Sequence, residues 1–210
     1  MRHAEDTARV VVGPAALGAM AAVVRSGRVS RLEATVFRGI NRLPRQLGGP
    51  VWLLMQSGSL AAAFVTSGGA YLAGWRGPSR DLLFSGVSAW LSAKLVKPLL
   101  GRGRPAVLLA DVIVRHSPAS GLGFPSGHAA VAAALATTAA PWLPRRYRCL
   151  AWAEAGLVAT ARVYEGAHLP LDVLGGAVLG SALASAVRLG CGAVPAIVSR
   201  RRGRGCPEFG

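Results

Sequence analysis

Long apolar runs cut by short polar segments dominate the chain. Their lengths suit helices that cross a bilayer rather than strands. Residues 1–9 are polar and read as loose. Residues 10–24 form the first run, interrupted by Pro14. Fifteen residues of helix cover about 22 Å against a hydrocarbon core of roughly 30 Å. This segment therefore either spans with help from its ends or lies shallow. No small-x-small cleavage site follows it, so it reads as retained. From 28 to 43 the period changes: Val29, Leu32, Val36, Phe37, Ile40 and Leu43 recur at helical spacing, with Arg28, Arg31, Arg38, Arg42 and Arg45 between them. That pattern predicts an amphipathic helix lying at head-group level. Residues 51–74, 81–100, 127–143, 150–164 and 169–189 then predict spanning helices, the first of them unbroken. Two tight basic turns separate some of these spans, WRGPSR at 75–80 and PRRYR at 144–148. Only residues 101–125 make a long polar connection, the kind that is often functional.

The expected architecture is thus all-α: a polytopic transmembrane helix bundle of five to six spans, with an amphipathic interfacial helix near the N-terminus. Residues 1–49 hold the short apolar and interfacial helices, 50–198 the transmembrane core, and 199–210 a basic, disordered tail. Composition agrees. Of 210 residues, 52% are hydrophobic and 16% charged, against roughly 25% charged in soluble domains. The net charge of +15, from 24 Lys and Arg against 9 Asp and Glu, falls between and beside apolar segments rather than along one polar face. That placement fits anionic lipid head groups and phosphate substrates, not nucleic acid. Cys149, Cys191 and Cys206 show no spacing for a disulfide framework or a zinc site. Oligomeric state is not readable.

Counting crossings brings the ends of residues 81–100 and 150–164 and the starts of residues 127–143 and 169–189 to one membrane face. The basic turns and tail go to the other, which the positive-inside rule makes cytoplasmic. The Arg-rich helix at 28–43 falls on the first face and opposes that assignment. The expected location is the cell membrane, multi-pass, with the active site on the extracytoplasmic face.

Three clusters meet at that face. Lys97 is followed by Arg104-Pro105; Pro125, Ser126, Gly127 and His128 are contiguous; and Arg162 precedes His168 and Asp172. On a helix, His168 and Asp172 would share one face, one turn apart. A carboxylate there accepts from one imidazole nitrogen and leaves the other free as nucleophile or base. Lys97, Arg104 and Arg162 supply three cations for phosphate oxygens. Ser126 reads as a helix N-cap, so the amides beside it and at Gly127 form an anion site. This inventory suits phosphoryl transfer without a metal or cofactor. His168 attacks phosphorus, Asp172 holds the imidazolium, and His128 protonates the leaving oxygen and later activates water. No group of carboxylates resembles a magnesium cage.

These motifs resemble the signature of the type 2 phosphatidic acid phosphatase superfamily: KxxxxxxRP, PSGH and SRxxxxxHxxxD. Lys97, Arg104 and Pro105 match the first, residues 125–128 the second, and Arg162, His168 and Asp172 the third. The resemblance, over roughly residues 50–190, implies a six-helix core with His168 as nucleophile and His128 as acid. It implies a lipid phosphate substrate, such as phosphatidic acid, phosphatidylglycerol phosphate or a polyprenyl diphosphate. A phosphotransferase on lipids, or a non-catalytic membrane protein that binds anionic lipid, are the alternatives. One departure stands out: Ala161 occupies the motif's serine position, which implies altered phosphate positioning rather than loss of activity. Elsewhere, Glu154 reads as a structural acid inside a span. Lys94 is either a second substrate cation or a snorkelling one. Arg102, Arg115, His3 and His116 read as polar loop residues, and Tyr164 as an interfacial aromatic.

Overall fold

The computed structural model describes residues 2–202, with side chains from 4 to 190. Of the expected tail at 199–210, residues 199–202 continue the last helix and 203–210 lie outside the described residues; His3, Cys191 and Cys206 lie outside the described side chains. In chain order the helices are α1 (Arg2–Arg25), α2 (Arg31–Asn41), α3 (Gly48–Met55), α4 (Leu60–Leu72), α5 (Arg76–Leu100), α6 (Pro105–Leu108), α7 (Gly127–Ala139), α8 (Arg145–Tyr164) and α9 (Pro170–Arg202). Among the described residues there is no strand, only an isolated antiparallel bridge between Gly103 and Leu122.

The bundle is built around α7. Every residue from Ala129 to Thr138 is buried, and a helix apolar on all sides belongs in a core. Helices α5, α8 and α9 pack against it. Its alanines let those neighbours come close, and glycines on α9 complete the fit. A Cβ added at Gly180 would stand 1.9 Å from the Ala130 carbonyl oxygen, and one at Gly176 would stand 2.3 Å from that of Ser126. These two glycines, four apart, make the small-xxx-small contact by which membrane helices associate. Gly180→Val is therefore expected to force α9 off α7 and cost about 3 kcal/mol. A thermal unfolding midpoint equal to that of the parent chain would contradict the packing.

The outer surface is apolar. Phe64, Val65, Leu72, Phe84, Leu91, Leu95, Leu157 and Leu174 are all exposed, a belt suited to hydrocarbon and not to water. By length and composition α1 and α9 each suffice to cross a membrane, and the bent segment made by α3 and α4 is a third crossing if taken as one. The molecule is an all-helical membrane bundle.

Four expectations need correction. The first polar residues are not loose: α1 begins at Arg2, so it covers about 36 Å rather than 22 Å. Its polar start is held by an ion pair between Glu5 and Arg9 at 3.5 Å and by Asp6. That buried carboxylate accepts from Ser185 Oγ at 2.9 Å and meets Arg188 at 3.1 Å.

Residues 51–74 are not one straight span. The chain breaks between α3 and α4 and bends by 64°. The Ser-Gly-Ser at 57–59 causes this. Ser57 Oγ donates to the Leu54 carbonyl at 2.6 Å and to Glu154. Ser59 turns extended and its Oγ accepts from Ala62 N at 3.3 Å, starting α4. Gly58 fits where a Cβ would lie 2.8 Å from the His128 carbonyl oxygen. Residues with small polar side chains can satisfy an interrupted backbone ladder, which is what a break inside a membrane requires. Glu154 is thereby paired with Ser57.

The PRRYR segment is not a turn, since α8 starts at Arg145 after Pro144. The helix at α2 is shorter than its pattern, and it buries Glu33, Ala34, Phe37 and Asn41 while Leu32, Val36 and Leu43 stay exposed. Its inward face is thus partly polar, because it seats on the charged end of the bundle.

Candidate active site

The ends of α5 and α8 and the starts of α7 and α9 gather at one end of the bundle, under α2 and the 101–125 connection. Direct contacts stitch the three sequence clusters together. Lys97 Nζ, near the end of α5, donates to the carbonyls of Leu122 at 2.9 Å and Gly123 at 3.4 Å. Gly123 N donates to the Arg102 carbonyl at 2.7 Å, and Arg104 N to that of Gly121 at 3.2 Å. At Gly123 a Cβ would lie 2.8 Å from Asp172 Oδ2, so only glycine fits against that carboxylate. Ser126 N donates to the Asp172 carbonyl at 2.9 Å. On the α8 side, the amides of Ala167 and His168 both donate to the Arg162 carbonyl, at 3.2 and 3.3 Å. Lys97, Arg104, Ser126, Gly127, His128, Arg162, His168 and Asp172 are therefore brought together. The charges of Arg162, His168, Lys97 and Arg104 all act on the His128 ring.

Local sequence explains the placement of the third cluster. Pro170 takes the first position of α9, where its missing N–H is no loss. Asp172, three residues beyond Leu169, reaches back so that its Oδ2 accepts from Leu169 N at 2.9 Å, the reciprocal half of a capping box. His168 consequently lies in the loop before α9 and not on the helix with Asp172, as its spacing predicts. Its Nδ1 is 3.7 Å from Asp172 Oδ2, too far for a hydrogen bond. Burial lowers the His168 pKa to about 4; Asp172 opposes this, while Arg162 and Lys97 reinforce it.

Ser126 is likewise the N-cap of α7 by position, but its hydroxyl caps nothing. Its Oγ is buried without a hydrogen-bond partner among the described residues, as are Arg104 Nε, Arg162 Nε and His168 Nδ1. Orphaned polar atoms of this kind cost about 1–3 kcal/mol each when buried. His168 Nδ1 faces Asp172, but the other three, Ser126 Oγ, Arg104 Nε and Arg162 Nε, fit an acceptor with several oxygens. The first amides of α7 point the same way in character, since helix starts leave N–H groups unpaired. Burial also lowers the pKa of Arg104, against the pull of Asp172. Among the described residues no three of His, Cys, Asp and Glu are grouped to hold a metal.

Arg102 is the residue that the pattern reading misplaced. It is not a solvated loop residue but 5% exposed. Its Nη1 donates to Asp172 Oδ1 at 2.8 Å and to Glu33 Oε1 at 3.1 Å, and its Nη2 to Glu33 Oε2 at 2.8 Å. Leu171 N completes the cluster with a bond to Glu33 Oε1 at 3.0 Å. Burial works against the Arg102 charge, but the Glu33 and Asp172 carboxylates more than offset it and hold its pKa up. The signal was legible in part: Arg102 stands two residues before Arg104, and Glu33 is the lone acid in an Arg-rich helix. What no pattern shows is that they meet.

Two further readings change, those of Arg115 and Tyr164. Arg115 stacks 3.8 Å over the Tyr164 ring and donates to the carbonyls of Tyr164, Asn41 and Leu43. Tyr164 is itself buried, its hydroxyl donating to the Pro44 carbonyl at 2.9 Å. His116 is exposed, yet its N–H donates to the buried Glu165 at 2.7 Å. Lys94 lies 3.9 Å over the Trp90 ring on the outer surface, so it snorkels.

The family model described as the PAP2 superfamily matches residues 78–191. An undecaprenyl-diphosphatase of Sulfolobus acidocaldarius is 33% identical over 100 residues, which is 48% of this chain and 48% of that protein. The chain thus matches about half the length of that curated relative. Among solved structures, Aquifex aeolicus LpxE superposes with a TM-score of 0.68 at 25% identity, over 75% of this chain and 95% of that one. A transmembrane PAP2 type phosphatidylglycerolphosphate phosphatase from Bacillus subtilis gives 0.64 at 22% identity, over 83% and 94%, and shares the fold.

Proposed function

The chain belongs to the PAP2 superfamily, and on that premise we propose that it is a membrane phosphatase of lipid phosphates working through a phosphohistidine. The observation that carries this reading is the gathering of Lys97, Arg104, Arg162 and two histidines at one end of the bundle, with buried donors that lack partners. His168 turns Nδ1 toward Asp172, which leaves Nε2 as the nucleophile. In-line attack transfers the phosphoryl group to Nε2, and the imidazolium so formed is stabilised by Asp172. His128 gives a proton to the departing oxygen, then takes one from the water that cleaves the phosphohistidine and releases phosphate. The three cations and the Ser126 and Gly127 amides hold the equatorial oxygens throughout.

The substrate's acyl or prenyl tail stays in the bilayer while its head group enters the cationic end. Phosphatidic acid, phosphatidylglycerol phosphate and polyprenyl diphosphate share that form. The names borne by the relatives from Sulfolobus acidocaldarius and Bacillus subtilis support the latter two. The arginines at the starts of α5 and α8 lie at the other end and favour the extracytoplasmic side for the site by the positive-inside rule, against the pull of the Arg-rich α2. Purified protein in detergent, offered a panel of these lipids, should release inorganic phosphate from at least one. Binding without release from any would overturn the proposal.

The pH dependence has a definite sign. His168 is neutral above its depressed pKa of about 4, so its protonation limits kcat/KM only below that value and not near the ordinary 6.5. For folding, the unfolded chain takes up this proton first as pH falls. The stability due to a neutral His168 is complete above about 6.5 and is lost on descending to about 4. A pH profile of kcat/KM with an acid limb near 6.5 assigned to His168 by substitution would contradict its burial.

A further inference from the structure

At the end of the bundle remote from the histidines, two cavities share one arginine. The first is an apolar groove of about 470 Å³ between α1 and α9, walled by Ala8, Val12, Gly13, Ala16, Ala177 and Val178, with Arg9 at its edge. The second is a polar cavity of about 210 Å³ that Arg9 also lines, together with Glu5, Thr137, Arg148, Trp152 and Arg188. Helices α1 and α9 run antiparallel here: Gly13 backs onto Ala182, while Asp6 meets Ser185 and Arg188. The groove therefore leads from Arg9 toward the middle of the bundle, about 10 Å along α1 to Ala16. Arg188 stands on α9 some 27 Å of helix from Pro170, so this place is separated from the His168 end by nearly the thickness of a hydrocarbon core.

We propose that this pair of cavities is a second lipid site, in the leaflet opposite the histidines: the groove takes an acyl chain, and Arg9 and Arg148 take the anionic head group of a membrane phospholipid. Charge favours an anion. Arg188 is engaged, its Nη2 with Asp6 at 3.1 Å and its Nη1 with the Thr137 carbonyl at 3.2 Å, so Arg9 and Arg148 carry the uncommitted charge. Glu5 has a side chain 66% exposed to solvent, and Asp6 is already committed to Arg188 and Ser185. Arg9 reaches Glu5 and Asp6 only at 3.5 and 3.6 Å, longer than good hydrogen bonds. Arg148 spends its Nε on the Leu143 carbonyl at 3.2 Å, which leaves the far side of its guanidinium free to meet an oxygen pair. Trp152, 5.9 Å from Arg9, marks the level at which indoles settle between head groups and chains. An apolar slot opening directly beneath a cationic cup has the form of an anionic amphiphile, and neither half alone does. The site does not depend on the phosphatase reading, and its test needs no substrate.

Full-length protein in nanodiscs of phosphatidylcholine, with or without phosphatidylglycerol, gives the test. Phosphatidylglycerol should raise the unfolding midpoint of the parent chain, and native mass spectrometry should find it retained. The double substitution Arg9→Gln, Arg148→Gln should weaken that retention about thirtyfold, as the loss of two arginine contacts implies. Val12→Trp, at an exposed position, keeps every charge but fills the groove, and should weaken retention as well. Equal retention by parent and Val12→Trp overturns the proposal. So does an equal rise in midpoint from soluble glycerol phosphate, which would mean an anion site without a lipid tail.

Discussion

Replacing His168 by alanine is expected to lower phosphate release by about 10⁴-fold or more, the scale seen when a nucleophile is removed from a concerted catalytic set. The fold should survive. The His168 side chain makes no hydrogen bond among the described residues, and the backbone bonds around it, from His168 N to Arg162 O and from Leu169 N to Asp172 Oδ2, do not use it. The variant should therefore unfold near the parent temperature while losing turnover. His128→Ala should differ in kind. With His168 intact, a substrate whose leaving group is a good one can still phosphorylate the enzyme, but water is not activated. An acid-labile phosphoryl group on His168 should then accumulate, visible by mass spectrometry at neutral pH. Steady turnover by His168→Ala would sink the phosphohistidine route.

Arg102→Ala is the second large effect, and it falls on stability first. Arg102 is the shared partner of two buried carboxylates, those of Glu33 and Asp172. Removing it leaves two like charges in a region that water does not reach, and breaking a buried pair in this way costs about 3–5 kcal/mol. The unfolding midpoint in detergent should drop sharply. Glu33→Gln should be much milder, because it removes one of the negative charges and keeps an oxygen for Leu171 N. Arg102 does not need to touch the substrate; it is a positioning residue that fixes Asp172 Oδ1 while Leu169 N fixes Oδ2. Glu33→Gln should accordingly change kcat through Asp172 with little change in KM. Should Arg102→Ala melt with the parent chain, the cluster is not as buried as its geometry states.

The three motifs were legible because each is local. The spacing of Lys97 to Arg104 and of Arg162 to His168 and Asp172 is written in consecutive residues, and apolar run length points to a membrane bundle without tertiary knowledge. The features that were not legible depend on contacts between distant segments. Glu5 and Asp6 look like a polar leader until Ser185 and Arg188 arrive to satisfy Asp6. The break at 57–59 looks like packing glycine and serine until Glu154 and the His128 backbone supply its partners. Arg102 looks solvated until Glu33 comes from α2. In each case the composition of a segment states its cost in a membrane, and only the fold states who offsets it. The same limit explains a local misreading: Asp172 turned to the Leu169 amide, so its helix starts at Pro170, two residues too late to carry His168.

The alanine content of α7 has a thermodynamic consequence. Alanine has no rotamers to lose on burial, so the ten residues from Ala129 to Thr138 are immobilised at small entropic expense, and their neighbours press on methyl groups and main chain with few adjustable torsions. His128 stands at the tip of that rigid shaft. Compliance at this end of the molecule then resides in the long side chains ringing it, Lys97 and Arg104 foremost, which can follow a bulky head group while the imidazole stays put.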